Sequence, residues 1–212
     1  PGMTSPTRDA GLGFDYRFAM GIPDFWGKFI KEGRPIGTLW HEMTNHRRYE
    51  RTISYVACHD QCINGKDAMI WRLIGDEMHT HMSRFTDSWN TSRGLALYKL
   101  MRLATLTTAA HGYLNFMGDE FGHPEWIDGE AYAHRQWHLT ERDDLKYADL
   151  AAFDRDCLLH IVRRHPEQFR EQVRLRHLDE EDRILAFERG RLFCAFNFHE
   201  LRSRPSLEVW TT

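Results

Sequence analysis

The sequence lacks several features that would assign it quickly to a class. Only four of its 212 residues are cysteines, namely Cys58, Cys62, Cys157 and Cys194, and their spacing is not typical of a disulfide framework. We therefore expect reduced thiols and a cytoplasmic location. No apolar run approaches the roughly 20 residues of a membrane span, and no signal peptide is visible. Internal repeats and low-complexity tracts are also missing.

The net charge is small as well. Lysine and arginine total 28 residues against 31 acidic residues, which gives a formal charge of −3. Such a chain has no strong field to attract nucleic acid or an anionic membrane, so neither partner is expected and a neutral ligand is favoured. Aromatic residues make up 13% of the chain. Most of them are expected in the core, although exposed rings can stack on the apolar faces of sugars.

Both ends look interrupted. The chain begins at Pro1 without a helix cap or an apolar pattern, and it ends at Thr212 after what looks like unfinished β structure. We therefore expect a piece of a longer protein.

The middle of the sequence predicts a parallel sheet covered by helices. A β-branched run at 52–57 and a second run at 113–117 read as strands. Between them, 66–83 and 93–110 have helical spacing, and the second of these helices is apolar over most of its circumference. Before them, Pro23 opens a helix that Gly33 ends, and residues 38–50 read as irregular. Strand, long helical crossover and strand is the pattern of a parallel sheet.

The C-terminal part follows a different pattern. A helix is predicted at 145–164, and residues 184–189 and 192–198 then form a hairpin around Gly190. This is the only antiparallel signal in the chain. We place a domain boundary between about 165 and 182, with one domain over 1–165 and the start of an all-β domain over 178–212.

Polar residues follow both predicted strands. His59, Asp60 and Gln61 come after the first, and Asp119 and Glu120 come after the second. The C-terminal ends of parallel strands carry the chemistry in barrels of this type. Without other information, three interpretations of the first cluster stay open: a polar turn, a zinc site on Cys58, His59 and Cys62, or a catalytic edge that binds sugar hydroxyls.

A family resemblance runs over nearly the whole chain. The sequence is similar to glycogen branching enzymes of the α-amylase superfamily, and Glu120 to Trp126 is the most specific match. The other matching segments are 11–24, 51–55, 59–61, 93–97, 112–118, 135–137, 153–156, 186–189 and 196–199.

This resemblance implies an α/β fold: a partial (β/α)8 TIM barrel, roughly strands six to eight, followed by the beginning of an antiparallel β domain. It implies a retaining transglycosylase that cleaves an α-1,4 linkage of glycogen or amylose and transfers the chain to a 6-hydroxyl. Asp60 matches the transition-state-stabilising carboxylate, while His59, Gln61, Asp119 and Glu120 are expected to bind substrate. No cofactor and no metal are implied.

The nucleophile and the acid/base carboxylate of the family match no residue here, so the missing N-terminal part of the barrel is an expected partner and this chain alone is expected to be inactive. Some positions depart from the family, including Ala57, Cys58, Asp119 and a shortened segment after Trp126. Alternative interpretations are a hydrolytic or debranching relative of the superfamily, or a non-catalytic remnant that binds glucan or metal.

Overall fold

The computed structural model describes residues 2–47, 50–64, 68–122, 136–203 and 206. They form two compact units, the first comprising Pro1–Tyr55, Ala104–Leu114 and His165–Thr212 and the second comprising Val56–Leu103 and Asn115–Arg164. The helices and strands are β1 (Arg17–Phe18), α1 (Gly21–Glu32), α2 (Ile36–Thr44), β2 (Thr52–Ile53), α3 (Met69–Ile74), α4 (Glu77–Thr80), α5 (Trp89–Thr108), α6 (Tyr147–Phe153), α7 (Leu159–Arg164), β3 (Val173–Asp179), β4 (Ile184–Arg189) and β5 (Leu192–Asn197).

The first unit contains a short parallel sheet. β1 pairs in parallel with β2, and Ser54 makes a parallel bridge to Tyr113. Three segments therefore lie side by side in one direction, and the second and third of them are the parallel pair that the strand–helix–strand pattern predicts. The predicted strands at 52–57 and 113–117 were too long, because pairing ends at Ser54 in the first and is limited to Tyr113 in the second. The second run stops early because a turn begins at Phe116, whose carbonyl oxygen accepts a hydrogen bond from the backbone amide of Asp119 at 2.9 Å.

The prediction that 38–50 is irregular was wrong for 38–44, because α2 occupies Ile36–Thr44, whereas residues 45–47 and 50 are irregular as predicted. The carboxylate of Glu180 accepts hydrogen bonds from the backbone amides of Ile36 and Gly37, both at 2.7 Å. A carboxylate at this position satisfies two of the open N–H groups of a helix N-terminus and complements its dipole. Glu180 is distant in sequence, so no local pattern could show it.

The C-terminal sheet has three antiparallel strands in the order β3–β4–β5. The predicted hairpin is confirmed, with Arg189 opposite Leu192 and Gly190 at a positive φ of 57° in the turn. β3 was not predicted, because the alternation of Val173 and Leu175 with Arg174 and Arg176 is short and does not continue through His177 and Leu178, where the register shifts. The sheet begins at Val173, and the division into 1–165 and 178–212 stays a prediction.

The C-terminal sheet shares a core with α1 and α2 in the first unit. The ring of Phe187 on β4 lies 5.4 Å from that of Trp40 on α2. The ring of Phe198 lies 6.0 Å from Trp26 and 5.5 Å from Phe29, both on α1. Aromatic pairs at these distances add to the stabilisation that area burial alone provides. The helix predicted from Pro23 to Gly33 is thus confirmed, and its apolar face is the one that the sheet covers.

One buried arginine ties this sheet to the end of α5. Arg189 on β4 is only 2% exposed. Its guanidinium donates hydrogen bonds to five backbone carbonyls, those of Thr107, Ala109, Gln168, Phe169 and Glu171. A guanidinium carries five N–H donors in a fixed plane, which suits several acceptors at once. Arg189 therefore supplies hydrogen-bond donors to backbone carbonyls at the end of α5 and in the segment before β3.

The second unit is mainly helical. The single helix predicted at 66–83 is instead two short ones, because Gly75 at φ 67° and ψ −144° breaks it between α3 and α4. α5 is one long helix, as predicted, and its residues from Met101 to Thr108 are nearly all buried. The helix predicted at 145–164 is present as α6 and α7, joined by a π-helical turn at Asp154–Leu158. Within the described ranges, no helix combines the length and apolar character needed to cross a membrane.

Candidate active-site edge

His59 and Asp60 stand at the point where a buried segment reaches the surface. Residues 55–58 are buried, and a π-helical turn begins at Asp60. The imidazole Nε2 of His59 lies 3.2 Å from the Oδ1 of Asp60, and the two side chains are 58% and 43% exposed. An imidazole N–H donates hydrogen bonds and a carboxylate accepts them. His59 can therefore donate to the oxygen of a ligand hydroxyl, and Asp60 can accept from the hydrogen of one. Both groups are accessible to a dissolved ligand.

Gln61 organises the turn that carries this pair. Its Oε1 accepts hydrogen bonds from the backbone amide of Cys58 at 3.0 Å and from the thiol of Cys58 at 3.2 Å. This use of the oxygen orients the side-chain amide, so its Nε2 is the group that could donate to a ligand. Gln61, itself one of the three predicted residues, therefore stabilises the turn that carries His59 and Asp60.

Glu120 is held firmly in the second cluster. Its Oε2 accepts hydrogen bonds from the backbone amide of Gly118 at 2.8 Å and from the Nδ2 of Asn115 at 3.2 Å. Asp119 differs, because only 4% of it is exposed, and its carbonyl accepts the hydroxyl of Tyr98 at 3.1 Å. Glu120 is therefore the more accessible of the two predicted residues.

The two clusters are linked through one small apolar core. Ala57 and Cys62 flank the His59–Asp60 pair, and both belong to a buried group that includes Ala68. Phe116, which precedes the loop of Asp119 and Glu120, packs against this group. The segments that carry the two predicted polar clusters therefore pack against one shared core of the second unit.

The zinc interpretation has no geometric support. Cys58 and Cys62 are both buried, whereas His59 is exposed and faces Asp60. Across the part of the chain that the structure describes, no group of three or more His, Cys, Asp or Glu residues could hold a metal ion. The four cysteines are free thiols.

Sequence reasoning missed the residues that support Glu120. Arg102 on α5 donates to the Oδ1 of Asn115 at 2.7 Å and also to the carboxylate of Asp154. Arg102 is only 1% exposed. A charged residue within an otherwise apolar helix face was a signal that could have pointed to it, because buried charges need partners.

Part of the predicted edge lies outside the described residues. This holds for His123 to Trp126, which complete the most specific matching segment, and for the shortened segment that follows them.

Comparison with known proteins places these residues in a family. A family model described as the α-amylase C-terminal all-β domain matches residues 175–211. The chain is 39% identical over 224 residues to a 1,4-α-glucan-branching enzyme of Rhizophagus irregularis, covering 100% of this chain and 33% of that protein. For the enzymes of Debaryomyces hansenii and Equus caballus the identities are 42% and 39%, covering 99% and 100% of this chain and 31% and 32% of those proteins.

The chain thus spans about a third of the length of these curated relatives. The match runs through both polar clusters and into the C-terminal sheet, in agreement with the resemblance of the individual segments. This chain belongs to the 1,4-α-glucan-branching enzyme family of the α-amylase superfamily.

Proposed function

We propose that this chain is the C-terminal part of the catalytic barrel of a 1,4-α-glucan branching enzyme, with the start of its C-terminal β domain. In the complete enzyme it would act on glycogen or amylose, where an α-1,4 linkage is cleaved and the chain is transferred to a 6-hydroxyl. The observation that carries this proposal is the exposed His59–Asp60 pair, 3.2 Å apart, in a chain 39–42% identical to branching enzymes over its length.

Two features support a partial (β/α)8 barrel, roughly strands six to eight, over residues 1–165. Three neighbouring segments run in parallel, at β1, at β2 and at Tyr113. In and around the first, the large apolar side chains Phe14, Tyr16, Phe18 and Met20 are all exposed. Exposed apolar side chains beside a short parallel sheet are of the kind that further strands and helices of a barrel would cover. Residues 178–212 would begin the all-β domain.

In this proposal Asp60 stabilises the transition state. Glycoside cleavage with retention passes through an oxocarbenium-like state, in which positive charge develops on the sugar ring. A carboxylate held near that ring stabilises the charge more in the transition state than in the ground state. His59, Gln61 and Glu120 bind sugar hydroxyls, and Glu120 supplies an accessible carboxylate that accepts from them. Asp119, which the sequence also predicted to bind substrate, is only 4% exposed and is therefore not placed among these contacts. The nucleophile and the acid/base residue would come from the part of the enzyme that this chain does not contain.

The test uses a complete enzyme in which this chain replaces the matching third of the Rhizophagus irregularis relative. In that enzyme, Asp60→Asn should lower kcat for branching of amylose by about 10³-fold, the magnitude typical of losing one electrostatic stabiliser of a transition state. Branching is followed by the loss of iodine staining.

Asp76→Asn is the matched control, because Asp76 is exposed on another loop of the same unit and undergoes the same chemical change. It should retain the parent activity. If Asp60→Asn stays within a few-fold of Asp76→Asn, then Asp60 has no catalytic role and the proposal fails.

A further inference from the structure

The Glu120 carboxylate is oriented by a chain of hydrogen bonds that reaches the buried interior of the second unit. Its Oε2 accepts from the amide of Gly118 at 2.8 Å and from the Nδ2 of Asn115 at 3.2 Å. A glutamate side chain that is free to rotate loses considerable entropy when it binds a ligand. Two hydrogen bonds to one oxygen remove much of that freedom in advance.

Asn115 can donate to Glu120 because its amide group has one permitted orientation. The Nη2 of Arg102 donates to the Oδ1 of Asn115 at 2.7 Å. Arginine only donates and an ionised carboxylate only accepts. An asparagine between them must therefore turn its oxygen to Arg102 and its Nδ2 to Glu120, since the flipped amide would satisfy neither neighbour.

Arg102 is itself anchored from the other side. The same Nη2 donates to the carboxylate of Asp154 in the π-helical turn, and both residues are buried. Its guanidinium also lies 5.7 Å from the centre of the Tyr98 ring. A charge-assisted hydrogen bond inside a protein is short and directional. The guanidinium therefore has little freedom to turn away from Asn115.

We propose that Arg102 and Asn115 are positioning residues, which hold the Glu120 carboxylate in the orientation that receives glucan hydroxyls. The inference rests on the proposed function, in which Glu120 contacts the substrate. Neither Arg102 nor Asn115 contacts glucan in this arrangement. Their effect on the substrate passes through Glu120.

Asn115→Asp tests the inference with almost no change of shape. Aspartate still accepts from Arg102, but it cannot donate to Glu120 and instead sets a second negative charge against it. We expect the KM for amylose to rise about tenfold with kcat nearly unchanged, because a misplaced binding group weakens ground-state and transition-state binding alike. A merely structural defect would lower the apparent kcat, by reducing the folded fraction, and leave KM unchanged.

A second measurement needs no activity. In the ¹⁵N-labelled 212-residue chain, Asn115→Asp should shift the Gly118 amide resonance and speed its hydrogen exchange. The reason is that repulsion between the two carboxylates breaks the hydrogen bond from the Gly118 amide to Glu120. Asn45→Asp is the control, since Asn45 is exposed and lies beside His41, a partner that can still donate. It should change neither KM nor the Gly118 resonance.

Glu120→Gln in the complete enzyme distinguishes substrate binding by Glu120 from the positioning role of Arg102 and Asn115. If it raises KM while Asn115→Asp changes neither KM nor the Gly118 amide, the positioning role is overturned and the substrate role stands. If Glu120→Gln leaves KM unaltered, Glu120 does not bind substrate, and the proposed contact and the inference built on it both fail.

Discussion

Replacing Arg189 with methionine would remove a buried side chain that donates hydrogen bonds to five backbone carbonyls of the first unit. The guanidinium reaches the carbonyls of Thr107 and Ala109 at 3.0 and 2.8 Å, at the end of α5. It also reaches three carbonyls in the segment before β3. Burial lowers the pKa of the Arg189 guanidinium, which reflects the cost of keeping this charge away from water. Methionine has a similar length but cannot donate a hydrogen bond.

The expected loss of stability follows from two opposing effects. Three of the five hydrogen bonds, those to Thr107, Ala109 and Gln168, are buried. A buried carbonyl deprived of its donor costs roughly 1–3 kcal/mol, so these three together cost about 5 kcal/mol near the middle of that range. The variant no longer has to bury a cation, which offsets about 2 kcal/mol, a low value for the desolvation of one ion. We therefore expect Arg189→Met to lower the free energy of unfolding by about 3 kcal/mol.

The measurement is urea denaturation of the 212-residue chain, followed by tryptophan fluorescence. Arg174→Met is the matched control, because Arg174 is exposed on the neighbouring strand β3. An exposed substitution of this kind should change stability by no more than about 0.5 kcal/mol. If Arg189→Met costs no more than this control, the five hydrogen bonds do not stabilise the fold and the reasoning is wrong.

Three further predictions concern the cap of α2, pH and activity. Glu180→Gln weakens the hydrogen bonds to the first amides of α2, so it should lower the free energy of unfolding by about 1 kcal/mol, whereas exposed Glu181→Gln should leave the urea midpoint unchanged. Burial is the main cause that lowers the pKa of both His46 and His111 below the ordinary 6.5. The unfolded chain therefore binds more protons below pH 6.5, and stability that is complete above this pH should decline as the pH falls towards the lowered values. His46→Gln, at the more buried of the two histidines, should flatten this decline in urea titrations at several pH values, and exposed His138→Gln should not. Finally, the 212-residue chain alone should neither branch nor hydrolyse amylose, as judged by iodine staining and reducing-end release. Activity above a boiled control would show that the required carboxylates are present in it.

The local sequence pattern was sufficient to predict much of the secondary structure. α1, α5 and the β4–β5 hairpin follow directly from helical spacing, from period-two alternation and from turn glycines such as Gly33 and Gly190. It failed where a distant residue decides the local conformation. α2 depends on Glu180, which lies far away in the chain, so a window of neighbouring residues contains no trace of it. β3 is a different case, because β4 follows it closely and the short alternation of Val173 to Arg176 ends at a register shift between Leu175 and His177.

For the candidate site, the sequence by itself determined which residues are present and that His59, Asp60 and Glu120 follow strand-like runs. Residue type and order are local properties, so they could be read without coordinates. Only the tertiary structure decided that Asp119 is buried while Asp60 is exposed, and that Glu120 is oriented by Asn115. Burial and hydrogen-bond geometry depend on which distant segments pack together, and that packing is a property of the whole fold rather than of any one motif.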